Sequence, residues 1–393
     1  MMKGVEYWEE EVQNKSWQTT KPVHPQKTLS LPNLPSDIVH IIFSHLTTSD
    51  LKNLSVLSKQ FRHLLVPFLL SQVKTVWYKL VEESEGQTRF LKQFKYVITQ
   101  LRIADAFSYG EWQVDIFQDA LYQLPRLQHL SINTANSSGW LRYRSNDTIT
   151  QLTLYTDPTV KDTQARLQPN SKGIVTREPS INSIKMFNIE HLANFKMVQK
   201  LELGGYHLSW DPQSIVVPVL TLKSLTLVDC YWDYPFQLKN FNYNNTLTHL
   251  GLRFKGGSTF LYSERFRDFI FNIGQDKGLE SIESLDLIHE VKTETEHQSG
   301  QLSVDESFLK RVLSGTGLPS LKSLVLKGWR VNCIFYWHRM VEILQSKQDL
   351  RVVEFDVVSS FGSGINIGVV KGWCMEMCPW ITVKLSLREL EKG

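Results

Sequence analysis

The sequence is poor in cysteine, carries little net charge and has no long apolar run. Only 4 of its 393 residues are cysteine, too few for a disulfide framework, which favours a reducing compartment. The 43 Lys and Arg nearly balance the 40 Asp and Glu, which argues against a strongly basic nucleic-acid binder. The longest apolar run, residues 64–70, is interrupted by Pro67 and is far shorter than the about 20 residues that span a bilayer. With no secretory signal in its first residues, we expect a protein of the cytoplasm or the nucleus that binds neither membrane nor nucleic acid.

The remaining composition predicts a large folded core behind a polar leader. Apolar residues make up 42% of the chain and aromatic residues 11%. Residues 1–30 lack apolar periodicity, so we expect a disordered tail there. Its aromatic residues Tyr7, Trp8 and Trp17 leave open a short docking motif.

Three short helices are predicted directly after this tail. Ile38, Ile41 and Ile42 are spaced by three and four residues, as on one face of a helix. The segment 47–50 supplies capping side chains for a second helix, and Ser58 does so for a third. We expect Pro67 to end the third helix. So few residues cannot cover all of their apolar surface, which predicts contact with a partner or with the rest of the chain.

The segment 31–72 resembles an F-box. The resemblance lies in an LP dipeptide at 34–35, an Ile-rich helix, a DL dipeptide at 50–51 and the pattern S-x-x-F-R at 58–62. It implies docking on a Skp-type adaptor, and through it on cullin and a RING protein of an SCF complex. The resemblance implies these adaptor-facing residues: Leu34, Pro35, Ile38, Ile42, Leu46, Leu51, Leu57 and Phe61. Each has an alternative role in packing the helices against one another.

A second pattern recurs from about residue 98: apolar, two variable, apolar, one variable, apolar. Its central residues are Leu101, Leu130, Leu152, Leu201, Leu225, Leu250, Leu285 and Leu324, with looser matches at Val353, Ile184 and Val383. The spacing of 24 residues from Leu201 to Leu225 and of 25 to Leu250 is typical of a leucine-rich repeat. The last two apolar residues of each unit lie on one side of a short strand, so the units must stack to bury them.

The predicted fold class is therefore α/β: a three-helix F-box followed by a leucine-rich-repeat solenoid, a curved parallel sheet with outer helices. It resembles the large-repeat horseshoe attached to many F-boxes. We expect a helical linker at 73–97 and degenerate repeats over 98–393, with loop insertions near 156–180 and 290–306. The Asn or Cys typical of the repeat is matched only by Cys230, and a generic α/β domain stays an alternative. Helical patterns at 266–273 and 341–344 precede two of the strands.

A binding face follows from the horseshoe, because residues around the two strand leucines line its concave side. The tentative substrate-binding residues there are His129, Asn133, Tyr155, His249, Arg253 and Lys327. Their aromatic and cationic groups suit phosphate or acidic partners, although a solvated face is the ordinary alternative.

No constellation of catalytic residues is found, and we predict no catalytic residue, no metal site and no cofactor. Cys374 and Cys378 are four residues apart but lack two further zinc ligands at the usual spacing, which favours buried reduced thiols. The predicted function is that of a non-catalytic subunit that brings an unknown protein substrate to an SCF ubiquitin ligase. Two alternatives use the same adaptor: a scaffold that leads to no ubiquitination, and a receptor gated by a small molecule.

Overall fold

The structure is a computed structural model of the chain. It describes the following residues: 34–76, 84–104, 121, 124–133, 138–142, 146–156, 185–210, 220–233, 236–241, 245–255, 258–273, 277–290, 303–304, 306–313, 317–331, 337–358 and 366–388. The tail expected at 1–30 and nearly all of the insertion expected at 156–180 lie outside these ranges. The chain divides into two compact units, one ending at Leu69 and the other beginning at Leu70.

The first unit consists of three helices: α1 (Ser36–Ser44), α2 (Thr48–Leu57) and α3 (Lys59–Leu69). The predicted caps form. The backbone N–H of Asp50 donates to Oγ1 of Thr47, and the Asp50 carboxylate accepts from the backbone N–H of Thr47, a capping box. Ser58 caps α3 by accepting from the backbone N–H of Phe61 at 3.1 Å.

A small apolar core holds the three helices together. Its fully buried members are Val39, Phe43, Leu51 and Leu65, so all three helices contribute. The rings of Phe43 and Phe68 meet edge to face at 5.5 Å, and the Arg62 side chain donates to the Ser55 carbonyl at 3.3 Å. The helices therefore have a core of their own.

Pro67 does not end α3, contrary to the sequence prediction. The helix contains Pro67 and runs on to Leu69. A proline removes only its own N–H from the helical ladder, and in the last turn that loss affects a single bond.

The second unit is built on one long sheet, and every strand pair in it is parallel. Its main path runs β1-β2-β3-β4-β6-β8-β10-β11-β13-β14-β15, and β12 pairs with β13. The strands are β1 (Gln72–Val76), β2 (Gln100–Ala104), β3 (His129–Asn133), β4 (Gln151–Tyr155), β6 (Lys200–Gly204), β8 (Ser224–Val228), β10 (His249–Lys255), β11 (Ser284–Glu290), β12 (Ser303–Val304), β13 (Ser323–Val331), β14 (Val352–Val358) and β15 (Thr382–Arg388).

The repeated leucines explain this register. Leu201, Leu225 and Leu250 lie side by side on β6, β8 and β10, and all three are buried. A one-residue slip would turn each buried leucine to the solvent face, so the apolar pattern fixes the pairing. The parallel sheet with repeating strands confirms the predicted fold class.

Helices lie between some of the strands. They are α4 (Ser84–Gln93), α5 (Glu264–Asn272), α6 (Glu306–Leu313), α7 (Trp337–Gln345) and α8 (Ile367–Met377). Helices α5 and α7 coincide with two of the predicted helical patterns. Phe266 of α5 and Met340 of α7 are fully buried in the common core of this unit.

Two of the predicted boundaries differ from the structure. The segment 73–97, expected to be a helical linker, contains α4 but begins within β1, which pairs with β2 and belongs to the sheet. Within the loop expected at 290–306, Ser303–Val304 form β12 and α6 begins at Glu306. Strand β1 has five residues, Gln72–Val76, which is too short for a clear alternation of apolar and polar residues. Its exposed residues, Gln72 and Lys74, are polar.

A second, three-stranded parallel sheet is present that the sequence analysis missed. Its order is β5 (Lys185–Asn188), β7 (Tyr206–Ser209) and β9 (Tyr231–Trp232). Met186, assigned by its pattern to the main repeat, lies on β5 and is exposed. Strands β7 and β9 closely follow the main-sheet strands β6 and β8, and Gly205 turns the chain between β6 and β7 with φ +74°.

The turns after the main-sheet strands share one backbone feature. Gly205, Asp229 and Gly328 all have positive φ, and each stands four residues after the central leucine of its repeat. The Asp229 side chain accepts from the backbone N–H of Lys255 at 2.7 Å, which satisfies a donor on the neighbouring repeat. A left-handed residue thus stands at the same point of three repeats, directly after β6 and β8 and, in β13, at the register shift between Lys327 and Trp329.

One position further on, side chains bond the carbonyl of a preceding strand. The thiol of Cys230 donates to the Leu203 carbonyl at 3.3 Å, as the leucine-rich-repeat pattern predicts. Trp329, which departs from that pattern, fills the same role, because its indole N–H donates to the Leu287 carbonyl at 2.8 Å. The position requires a hydrogen-bond donor, and an indole supplies one as a thiol does.

Candidate functional site

The eight residues suggested for adaptor binding divide by exposure in the folded helices. Pro35, Ile38 and Leu57 are exposed, and Leu57 keeps 69% of its surface accessible. Leu51 is buried at 6% exposure in the helical core, which favours its alternative role in packing the helices against one another. The others are partly buried and pack against that core: Leu34, Ile42, Leu46 and Phe61.

Two further apolar residues of these helices are exposed and were not singled out. Ile41 on α1 is 55% exposed, and Val56 on α2 is 67% exposed. Ile41 stands three residues after Ile38, and Val56 precedes Leu57, so each extends an exposed apolar region on its own helix. The spacing at 38–42 already placed Ile41 on the same helical face as Ile38, but the sequence analysis used that spacing only to predict the helix.

The polar face of the main sheet is the face opposite its buried leucines. All six tentative substrate-binding residues lie on it, and all are partly exposed: His129, Asn133, Tyr155, His249, Arg253 and Lys327. His129 and His249 precede the first strand leucine, and the other four follow the second. In the register of the sheet, these positions form two separate rows across the strands.

Charged residues of neighbouring strands pair across this polar face. Nζ of Lys327 lies 2.7 Å from a carboxylate oxygen of Glu354, and Nε2 of His249 lies 3.9 Å from Asp286. The Lys327 bond lowers the pKa of Glu354 below its usual value. Burial, and secondarily the charge of Lys200, lowers the pKa of His129. Lys327 and His249 thus lie within ion-pair distance of a carboxylate on an adjacent strand.

Tyr155 contacts the neighbouring strand β6 near the middle of the polar face. The Tyr155 hydroxyl donates to the Glu202 carboxylate, and its ring occupies the space where a side chain on Gly204 would stand. Burial, followed by this hydrogen bond and the negative charge of Glu202, raises the pKa of Tyr155 above its usual value, while the charge of Arg253 opposes the shift. Arg253 lies on β10, three strands from Tyr155 in the order of the sheet, and influences this pKa through its charge.

The structure brings together a serine and a histidine that the sequence did not connect. Oγ of Ser138 lies 2.7 Å from Nδ1 of His191, and it accepts from the backbone N–H of Asn188 at 2.9 Å. Both side chains are buried. Burial, and secondarily the charge of Arg142, lowers the pKa of His191 to about 4. Because the Ser138 hydroxyl is buried, a substrate cannot reach it. The pair is therefore a structural contact between two repeats.

The two cysteines on α8 are buried thiols. Cys374 and Cys378 are free and fully buried, and the Cys378 thiol donates to the Val341 carbonyl at 3.7 Å. Burial raises the pKa of the Cys374 thiol to about 11, so the thiolate that would bind a metal is disfavoured. Across the described ranges, no three His, Cys, Asp or Glu side chains are grouped as a metal site.

Comparison with known proteins matches the first unit. Residues 31–66 match the family model of the F-box domain. No curated protein sequence matches the chain. Among the helices in the described part of the chain, none combines the length and apolar character needed to cross a membrane.

Two solved structures show limited similarity. One is an LRR protein of Leptospira interrogans, with 16% identity and a TM-score of 0.34, and the alignment covers 77% of this chain. It covers 62% of the Leptospira protein, less than two thirds of its length. The other is an internalin from Listeria monocytogenes, with 10% identity, a TM-score of 0.30 and coverage of 76% and 77% of the two chains. The chain thus carries an F-box domain at residues 31–66, followed by a long parallel sheet of repeating strands.

Proposed function

We propose that the protein is the substrate-recognition subunit of an SCF ubiquitin ligase. In this function the F-box domain binds a Skp-type adaptor, which connects it to cullin and a RING protein. The polar face of the sheet binds a protein substrate, which brings the substrate's lysines close to a ubiquitin-conjugating enzyme. Such tethering raises the effective concentration of the reacting groups, so the chain needs no catalytic residue of its own.

One observation carries the proposal: the F-box domain exposes apolar side chains although it has a core to bury them in. Ile38 and Leu57 remain 44% and 69% exposed, beside a packed core that contains Phe43 and Leu65. Exposed apolar side chains of this size are favourable anchors for a partner, since burying each contributes about 1.5–3 kcal/mol at full burial. These residues are therefore our candidates for adaptor contact, with Leu34 and Pro35 beside them.

The first experiment measures binding of the purified full-length chain to a Skp-type adaptor by calorimetry. We expect Ile38→Ala combined with Leu57→Ala to weaken binding by about 10-fold or more, because two exposed anchors are removed. The matched control is Met375→Ala, which truncates an apolar side chain that is 75% exposed on α8 and should leave binding unchanged. Equal binding by the wild-type chain and the double variant would remove this surface from the proposal.

The second experiment separates the ligase function from its alternatives. The chain is assembled with adaptor, cullin and RING protein, and ubiquitin transfer to a protein bound by the repeats is measured. Transfer that requires both Ile38 and Leu57 supports the proposed function. Adaptor binding with no transfer to any bound protein would favour a scaffold, and transfer that begins only on addition of a small molecule would favour a gated receptor.

A further inference from the structure

Arg253 differs from two other cations on the polar face of the sheet. Lys327 and Lys255 have carboxylates at 2.7 Å from Glu354 and 3.9 Å from Asp229. For Arg253, the described residues offer no carboxylate within 4.0 Å, and its buried Nε has no hydrogen-bond partner among them. A guanidinium with no carboxylate beside it keeps its fork of N–H donors for an acceptor on another molecule.

The surroundings of Arg253 are apolar along its row. Val228 and Ile288 flank it on the adjacent strands, and Gly204 lies beyond Val228. The Tyr155 ring covers Gly204 and forms a wall on that side. Because such surroundings partly exclude water, a hydrogen bond to the guanidinium is stronger there than on an open surface.

The acidic groups around Arg253 are engaged by other side chains. On the adjacent strands, Asp286 lies 3.9 Å from Nε2 of His249, and Asp229 lies 3.9 Å from Nζ of Lys255. One strand further, the Glu202 carboxylate accepts a hydrogen bond from the Tyr155 hydroxyl and lies beyond ion-pair distance of the guanidinium. Tyr155 is thus a positioning residue, which holds Glu202 in place and leaves the Arg253 fork open. The surrounding carboxylates, Glu202 among them, repel a doubly charged phosphate more strongly than a carboxylate, so a group with a single negative charge suits the site better.

We propose that Arg253 binds an aspartate or glutamate side chain of the protein recruited by the polar face, with Tyr155 packing against the same segment. Two parallel N–H···O bonds between the guanidinium and the carboxylate supply both affinity and orientation. The inference rests on the proposed function, in that it names the chemistry of the substrate, and it adds a single acidic residue as the feature recognised.

The test uses a phage-displayed library of random linear 12-residue peptides, selected on the purified full-length chain. We expect selected peptides to share an acidic residue at one position. Their affinity should fall about 10- to 100-fold for Arg253→Gln, the range for losing a charge-assisted bond. Arg102→Gln is the matched control, because Arg102 is an exposed arginine on the same face. It should bind as the wild-type chain does.

A charge exchange identifies the contact directly. Arg253→Glu should bind a selected peptide only after its acidic residue is replaced by lysine. Replacing the same residue by phosphoserine should weaken binding to the wild-type chain, and Glu202→Gln should remove that penalty. The proposal is overturned if the library yields no peptide whose binding depends on Arg253, if the shared position is not acidic, or if the phosphoserine peptide binds more tightly.

Failure of this inference and failure of the proposed function give different results. Peptide selection requires no adaptor, whereas the adaptor experiment uses variants in the F-box alone. Thermal unfolding of Arg253→Gln provides the stability control, since a variant that melts as the wild-type chain does has lost binding and not structure. An adaptor-binding chain that selects no acidic peptide would retain the proposed function and lose only the acidic contact.

Discussion

Acidification from pH 7 to pH 5 should destabilise the second unit through one buried histidine. His191 is in contact with Ser138 on one ring nitrogen, and its Nε2 is buried without a hydrogen-bond partner in the described part of the chain. Protonation would place a positive charge with an unsatisfied donor in that position. This is why the pKa of His191 is lowered to about 4 in the folded state.

The magnitude follows from linkage between protonation and folding. In the unfolded chain the histidine titrates near its ordinary pKa of 6.5, and in the folded chain near 4. Between these values the unfolded state binds more protons, so stability is complete above pH 6.5 and falls as the pH is lowered towards 4. At pH 5 the loss from this one group is about 2 kcal/mol, a measurable part of a typical free energy of unfolding.

The assay is urea unfolding of the full-length chain at pH 7 and at pH 5, compared with His191→Phe. The variant cannot titrate, so we expect its change in stability between the two pH values to be smaller than that of the wild-type chain by about 2 kcal/mol. His338→Phe replaces an exposed histidine on α7 and should keep the wild-type pH dependence. Equal pH dependence of His191→Phe and the wild-type chain would refute the reasoning, whatever the stability of the variant at pH 7.

Three further predictions concern packing. Trp329→Phe removes the indole donor to a strand carbonyl and should lower the free energy of unfolding by about 1–3 kcal/mol in urea. Gly328→Ala should cost at least about 2 kcal/mol, because the new Cβ would stand 1.8 Å from the His289 carbonyl oxygen at φ +73°. The control is Gly372→Ala, at an exposed position of α8 with open space around it, which should raise the free energy of unfolding by up to about 1 kcal/mol. Equal melting temperatures of Gly328→Ala and Gly372→Ala would contradict the geometry. Phe43→Ala should unfold the small F-box core, at a cost of about 3–5 kcal/mol, and abolish adaptor binding while hydrogen exchange in the sheet is unchanged.

The main sheet could be predicted from the sequence because its signal repeats. The spacing of Leu201, Leu225 and Leu250 places one buried residue at the same point of each strand, and that is the register observed. The three-stranded sheet could not be predicted in the same way. Its strands β7 and β9 have four and two residues, which is too short for an alternation of apolar and polar residues to be distinctive.

The details of the candidate site depend on geometry that the residue pattern does not contain. The sequence analysis identified Tyr155 and Arg253 as residues of one face, but it did not identify the Glu202 carboxylate as the partner of the Tyr155 hydroxyl. The position of the Tyr155 ring depends on Gly204, whose missing side chain makes room for it. In the same way, the donor role of Trp329 could be recognised only from its contact, since the repeat pattern specifies residue types, whereas the strand carbonyl requires only a hydrogen-bond donor.

The in-register pairing of the main strands makes distances on the polar face stepwise. Adjacent strands are about 4.8 Å apart, so Tyr155 and Arg253, on β4 and β10, start three such steps from each other. Loss or gain of one whole repeat between them would change that distance by one strand spacing. The leucines of the remaining repeats would still pack side by side in the core. A chain of this design can therefore change the spacing of the groups it presents to a partner by adding or deleting repeats, with no compensating change in the packing beneath them.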